Sequence, residues 1–167
     1  FNVESLDEVT EGGIDVGCVT EVFGEAGSGK SQLCMQLVLN VQLPEELNGL
    51  KGKSLYISTD KHFHVKRLFS MAAGLVEKFS HFEAVHQIRF LDNVFVAEFF
   101  TVERLKHTIF ELLPEYLKEN PETRLIIIDS IAGIFRAEKY YLQRAIDMRA
   151  IVHELEKLAG IYHFAIL

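Results

Sequence analysis

Residues 24–31, GEAGSGKS, decide the fold that this sequence predicts. They satisfy the pattern G-x-x-x-x-G-K-[ST], in which glycines let the backbone amides turn inward around a polyphosphate. The β-branched and aromatic run CVTEVF at 18–23 precedes this loop, and SQLCMQLVLNVQL at 31–43 follows it with helical periodicity until Pro44. The loop therefore lies between a predicted strand and a predicted helix, which is the context that phosphate binding requires.

The loop residues carry the predicted contacts to a nucleoside triphosphate. We expect Lys30 to reach the β- and γ-phosphates and the Ser31 hydroxyl to bind Mg²⁺, while the start of the following helix adds a favourable dipole. The alternative, a glycine-rich turn that binds nothing, is disfavoured by the flanking strand and helix. The residues predicted to bind ATP from this motif are Glu25, Ala26, Gly27, Ser28, Gly29, Lys30 and Ser31.

Strands and helices alternate along the rest of the chain. Further strands are predicted at 54–59, 93–100, 124–130 and 161–167, and further helices at 64–79, 101–120 and 140–159. Thr101 is the expected N-cap of its helix and Pro114 the expected site of a kink, while Phe99 and Phe100 are expected in the core. This alternation predicts an α/β fold, a mostly parallel sheet with helices on both faces. Because the chain stops at a strand, we expect further C-terminal strands in the natural protein.

Two aspartates follow predicted buried strands. Asp129 comes directly after the apolar residues 125–128, so its carboxylate is expected at the same sheet edge as the phosphate loop, where it would support Mg²⁺. Asp60 ends the predicted strand at 54–59 and is the candidate for orienting an attacking water. For each aspartate the alternative is a local turn or cap. The predicted metal residues are therefore Ser31 and Asp129, and the predicted catalytic residue is Asp60.

Composition limits the classes of function. The net charge of −7 argues against a chain that wraps nucleic acid over its whole surface. No apolar run reaches the roughly 20 residues of a membrane span, and residues 1–13 lack the pattern of a signal peptide, so a cytosolic or nuclear protein is expected. Cys18 and Cys34 lack a ligand or disulfide pattern and are expected to be reduced packing residues. His62 and His64 have no nearby third ligand, so no zinc is expected.

The chain resembles the RecA-type strand-exchange recombinases of eukaryotes and archaea, nearly from end to end. The resemblance is carried by GGIDVGCVTEVFGEAGSGKSQL at 12–33, LYISTDKHFHVKRL at 55–68, LDNVFVAEFF at 91–100 and LIIIDSIAGIFRAE at 125–138. Within the family, QLVLNVQLPEELNGLKGKSLYIST at 36–59 looks most like the accessory paralogues. The resemblance implies a RecA-like P-loop ATPase core at 15–167, present in part, after a short leading segment at 1–14.

The resemblance also assigns residues. It implies that Gln32 contacts ATP, that the guanidinium of Arg67 stacks on adenine, and that Arg136 begins the first DNA-binding loop. The family usually has glutamate where Asp60 stands, and the shorter side chain predicts slow or absent hydrolysis with binding retained. The stretch AEKYYLQ at 137–143 is shorter than the family's first DNA loop, which weakens the expectation of DNA contact there.

The function implied is that of an ATP-binding paralogue that assembles with other paralogues to support homologous recombination and double-strand break repair. The implied cofactors are ATP and Mg²⁺, and the chain is at most a DNA-dependent ATPase. Its implied partners are the C-type recombinase paralogue, the recombinase filament and DNA within a complex, with no membrane, and its implied location is the nucleus with some protein in the cytoplasm. Two alternatives stay open. A nucleotide-kinase-like phosphotransferase would need an arginine-rich lid that the sequence lacks, and a freestanding motor or signalling ATPase is disfavoured by Asp60.

Overall fold

The computed structural model describes residues 3–10, 12–59, 62–137 and 140–167. The strands are β1 Lys53–Ser58, β2 Val94–Glu98, β3 Thr123–Asp129 and β4 Ala165–Ile166. The helices are α1 Glu4–Val9, α2 Lys30–Asn40, α3 Val65–Lys78, α4 Glu83–His86, α5 Val102–His107, α6 Leu113–Glu119, α7 Ile131–Ile134 and α8 Tyr141–Tyr162. Short 3₁₀ turns occupy Glu45–Leu47, Phe90–Asn93 and Phe135–Ala137, and a π-helical segment occupies Thr108–Leu112.

The four strands form one parallel sheet in the order β2-β1-β3-β4. β1 and β3 lie at its centre, which explains the apolar residues 55–57 and 125–128 in the middle of these strands, since a central parallel strand is covered on both faces. At the carboxyl edge, Ser58 lies between Glu98 of β2 and Asp129 of β3 in register. This confirms the predicted α/β fold and brings the ends of three strands into one row.

Helices cover both faces of the sheet. On one face α2 and α3 pack against alternate residues of the central strands, among them Tyr56 and Ile127. On the other face α5, α6 and α8 pack against Ile57 and Ile126. The period of two along each strand thus divides the apolar residues between two cores. Among the helices of the described residues, none has both the length and the apolarity that crossing a bilayer demands.

The prediction of a strand at 18–23 is wrong, because this segment forms no regular strand. Only two isolated bridges form in this part of the chain, from Val16 to Ala165 and, in parallel, from Val19 to Ile166. The amide of Thr20 donates to the Ile166 carbonyl at 2.9 Å. β4 is only two residues long, so it offers few positions to pair with, and the residues from 21 onward continue to the loop as exposed backbone. Cys18 is likewise exposed rather than packed.

The predicted helix at 101–120 is present but interrupted. The Thr101 hydroxyl accepts a hydrogen bond from the Arg104 amide at 3.3 Å, which confirms the predicted N-cap. The expected disturbance at Pro114 takes the form of the π-helical segment that directly precedes α6. Proline has no amide to donate, so the preceding turn widens to the π pattern instead of continuing as a regular α-helix.

Two predictions near strand ends differ from the structure. Residues 161 and 162 were expected in the last strand, but α8 continues through Tyr162, because Leu155, Leu158 and Ala159 maintain helical spacing onto the core. Phe99 packs partly into the core, as expected, whereas Phe100 is 56% exposed. Phe100 lies beyond the end of β2 at Glu98, and its side chain is open to solvent.

Candidate nucleotide-binding site

The phosphate loop lies at the carboxyl edge of the sheet and leads directly into α2. Gly27 and Gly29 have φ angles of 81° and 97°, in the left-handed region that glycine adopts without a steric cost. The Ser28 amide donates to the Glu25 carbonyl at 3.2 Å and closes the turn. Residues 24–28 are exposed, so the loop presents its backbone to solvent at the start of an eleven-residue helix.

Lys30 folds back over the loop that precedes it. Its ammonium donates to the carbonyl oxygens of Gly24 and Glu25, each at 2.8 Å, and lies 3.5 Å from the Ser28 hydroxyl. Phosphate oxygens are stronger acceptors for an ammonium than neutral carbonyls, because the hydrogen bond is then charge-assisted at both ends. The structure therefore places Lys30 where an anion bound in the loop would be within its reach.

Ser31 and Asp129 meet across the edge of the sheet. The Ser31 hydroxyl donates to Asp129 Oδ2 at 2.6 Å, although the two residues are 98 positions apart. The meeting follows from the parallel sheet, because α2 begins and β3 ends at the same edge. The structure thus confirms that these two side chains lie at the same edge of the sheet, as the sequence predicts.

The oxygens of Ser31 and Asp129 fit a hard divalent cation. Mg²⁺ prefers oxygen ligands and is usually bound through one or two protein groups together with phosphates and waters. Among the described residues, no group of three or more His, Cys, Asp or Glu side chains is arranged to hold a metal ion. Two oxygen atoms from the protein, one from Ser31 and one from Asp129, suit a metal that arrives together with a nucleotide.

Arg67 and Gln32 also come together. Arg67 Nε donates to Gln32 Oε1 at 2.7 Å, which joins α3 to the first turn of α2. Both side chains are exposed beside the end of the loop. The planar guanidinium is thus next to the candidate nucleotide site, and its stacking on adenine stays a prediction.

Comparison with known proteins shows the family of this chain. The family model described as Rad51 matches residues 2–167. The chain belongs to the Rad51 family. A relative from Metallosphaera sedula, named DNA repair and recombination protein RadA, is 34% identical over 168 residues, which cover 98% of this chain and 49% of the relative. The chain therefore spans about half the length of that relative. The recombinase family predicted from the sequence is confirmed.

The predicted roles of two further residues, Asp60 and Arg136, stay predictions. Asp60 lies outside the described residues, so its catalytic role stays a prediction. Its neighbour Thr59 lies beside the end of β3, where its amide donates to the Asp129 carbonyl at 3.0 Å. Arg136 is exposed on the 3₁₀ turn Phe135–Ala137, and its contact with DNA in this Rad51-family chain is likewise still a prediction.

Tyr56 is a residue of this site in the Rad51-family core that no sequence pattern predicted. The Tyr56 hydroxyl donates to Asp129 Oδ2 at 2.5 Å, the same oxygen that accepts from Ser31. Burial, together with the hydrogen bond to Asp129, raises the pKa of Tyr56 above its usual value, so the hydroxyl stays protonated and able to donate. No local sequence signal marks Tyr56, because the contact depends on how β1 and β3 pair.

Glu98 is a second missed residue, and a signal for it was present. It follows the apolar run VFVA as Asp129 follows its own. Its Oε1 accepts a hydrogen bond from the Phe63 amide at 2.8 Å, and its Oε2 lies 3.0 Å from His62 Nδ1. The Phe63 amide and then His62 hold the pKa of Glu98 below its usual value. Glu98, at the end of β2, therefore stabilises the position of the backbone at Phe63, which follows β1.

We expect Glu98→Ala to make the Phe63 amide exchange with deuterium several-fold faster, since that amide loses its acceptor. Glu98→Gln is the matched control, because its amide oxygen can still accept, and it should retain much of the protection. The folded pKa of Glu98 is lowered, so the contact is present above the usual carboxylate pKa and is lost as pH falls through the folded value. Equal exchange of the Phe63 amide in wild type and Glu98→Ala would contradict this role.

Proposed function

We propose that this chain is the ATP-binding core of a recombinase paralogue, which binds ATP with Mg²⁺ and assembles with other paralogues to support homologous recombination and double-strand break repair. The observation that carries the proposal is the 2.6 Å contact between Ser31 and Asp129 beside the phosphate loop, in a chain of the Rad51 family. The relative from Metallosphaera sedula is named a DNA repair and recombination protein, which supports the same function.

Each residue of the site has a role in this proposal. The amides of residues 25–29 would surround the phosphates, and Lys30 would exchange its loop carbonyls for phosphate oxygens. Ser31 and Asp129 would hold Mg²⁺, and Arg67, held by Gln32, would face the adenine. Bound Mg²⁺ offsets negative charge on the β- and γ-phosphates. Asp60, one methylene shorter than the family's glutamate, would make hydrolysis slow.

ATP acts in this proposal chiefly as a ligand that stabilises an assembly. A ligand that binds only the assembled form shifts the equilibrium toward it, by about 100-fold when its concentration is about 100 times its dissociation constant. Among the accessory paralogues, we propose that the chain corresponds to the X-ray-repair cross-complementing paralogue of the third group. We therefore propose the C-type recombinase paralogue as its partner, the recombinase filament as its target, and a mainly nuclear location with some protein in the cytoplasm.

Contact with DNA is proposed for the complex rather than for this chain alone. The net charge of −7 works against binding of polyanions, and Arg136 is followed by a short segment that contains a single lysine. DNA binding should therefore weaken with salt in the complex and be weak for the isolated chain. Strong binding of DNA by the isolated chain would contradict the proposal that the complex, rather than this chain alone, contacts DNA.

The proposal is tested with the full-length protein co-purified with the C-type paralogue. We expect the fraction of complex, measured by mass photometry at nanomolar concentration, to rise when ATP and Mg²⁺ are added and to fall when EDTA is added. Hydrolysis should be slow, and a nucleoside monophosphate should not be phosphorylated. Rapid phosphorylation of the monophosphate would instead indicate a nucleotide kinase, and fast hydrolysis without a partner would indicate a freestanding motor or signalling ATPase.

A further inference from the structure

One oxygen of Asp129 receives hydrogen bonds from two hydroxyl groups on opposite sides. Ser31 approaches from the exposed loop at 2.6 Å, and Tyr56 approaches from within the sheet at 2.5 Å. Tyr56 is only 2% exposed, whereas Ser31 is open to solvent. The carboxylate thus has one fixed contact on the protein side and one contact on the side where a nucleotide would bind.

Tyr56 is held rigidly enough to orient its partner. It lies on β1 at the centre of the sheet, in register with Ile127 of β3, so its backbone cannot shift without breaking two strand pairings. Its ring packs edge-to-face on Phe63 with the ring centroids 4.6 Å apart. A buried aromatic side chain has few alternative rotamers, so its hydroxyl reaches Asp129 from a fixed position.

The contact from Tyr56 reaches the carboxylate from the buried side of the site. The Tyr56 hydroxyl donates to Asp129 Oδ2 at 2.5 Å, and the two residues lie on the neighbouring central strands β1 and β3. A hydrogen-bond partner in this position fixes the orientation of a metal ligand without touching the metal itself.

We propose that Tyr56 is a positioning residue for Mg²⁺, because it holds the Asp129 carboxylate in the orientation in which Asp129 and Ser31 together receive the metal that accompanies ATP. The inference rests on the proposed function and adds to it a residue that makes no contact with nucleotide or metal itself. Hydrogen-bond partners behind a metal ligand typically change metal affinity by about 10- to 100-fold when they are removed.

The test compares wild type with Tyr56→Phe, which removes only the hydroxyl. The matched control is Tyr116→Phe, whose hydroxyl lies beside Thr123 on the other face of the sheet. ATP binding to the full-length protein is titrated at increasing Mg²⁺ and again in EDTA, and thermal unfolding without nucleotide is recorded for each protein. We expect the Mg²⁺ concentration for half-maximal binding to rise about tenfold in Tyr56→Phe and to stay unchanged in Tyr116→Phe.

The two binding conditions separate positioning from a structural role. A structural defect would weaken binding of ATP equally with Mg²⁺ and with EDTA, whereas loss of metal positioning leaves the weak binding in EDTA unchanged. An unchanged Mg²⁺ midpoint in Tyr56→Phe, or equal losses in both conditions, would overturn the inference while the proposed function stands. Failure of wild type to bind ATP with Mg²⁺ would overturn the proposed function and the inference together.

Discussion

Lys30→Ala should weaken binding of ATP with Mg²⁺ by at least about 10- to 100-fold, because a hydrogen bond to a charged group contributes about 1.5–3 kcal/mol. The ammonium of Lys30 already lies over the loop, where it donates to the carbonyls of Gly24 and Glu25. Both carbonyl groups belong to an exposed part of the chain, so water replaces the lysine when it is removed. The measurement is isothermal titration of the full-length protein with ATP and Mg²⁺.

Lys118→Ala is the control for charge. Lys118 is exposed in the last turn of α6, just before β3 begins, and therefore lies near the opposite edge of the sheet from the loop. Its removal changes the net charge by the same amount as Lys30→Ala. Both variants should unfold within about 0.5 kcal/mol of wild type. Equal ATP affinity for Lys30→Ala and wild type would remove the basis for a nucleotide site in this loop.

The residues that could be predicted from the sequence are those whose signal is local. The glycines of the loop, Lys30 and Ser31 form one continuous motif, and Asp129 directly follows an apolar strand. One general rule, that parallel strands end at a common edge, then brings Ser31 and Asp129 together without knowledge of any other contact. Family resemblance added Gln32 and Arg67, and the structure places these two side chains in contact.

The residues that could not be predicted depend on pairings between distant parts of the chain. Tyr56 reaches Asp129 across 73 positions and only because β1 and β3 pair in one particular register. The predicted end of α8, at residue 159, differs from the observed end at Tyr162 for another reason. The β-branched and aromatic residues near Tyr162 favour a strand locally, but the helical spacing onto the core outweighs this preference.

The two acids on either side of Ser58 have different tasks, although both follow a strand of the same sheet. The Glu98 carboxylate accepts a hydrogen bond from the Phe63 amide and contacts His62, so it holds the backbone that follows β1 in place. Asp129 instead receives hydrogen bonds from two hydroxyl groups, those of Ser31 and Tyr56, beside the phosphate loop. The same residue class at the same edge thus gives one carboxylate that holds the backbone and one that we propose to receive a cation.

Gly49→Ala should destabilise the protein by at least about 3 kcal/mol. Gly49 lies between α2 and β1, and a Cβ atom added there would be 1.9 Å from the Leu43 carbonyl oxygen and 2.3 Å from its carbon. These neighbours are backbone atoms, so no side-chain rotation can relieve the overlap. A chain of this size loses about 2–4 °C in Tm per kcal/mol, which predicts a fall of about 6–12 °C in thermal unfolding.

Backbone movement at Gly49 would be costly, which is why the overlap cannot be relaxed cheaply. The Gly49 amide donates to the Pro44 carbonyl at 3.0 Å, and the amides of Leu50 and Lys51 donate to the carbonyls of Val41 and Leu43. Shifting the segment far enough would break these bonds and pull Leu43 from the core, where it is fully buried.

Gly74→Ala is the matched control, with the opposite expected sign. Gly74 lies in the exposed part of α3, and a Cβ atom there has no neighbour within 4 Å. Alanine is favoured over glycine inside a helix by up to about 1 kcal/mol, so Tm should rise by about 2–4 °C. A Gly49→Ala variant that unfolds at the wild-type temperature would show that the turn between α2 and β1 differs from the one described.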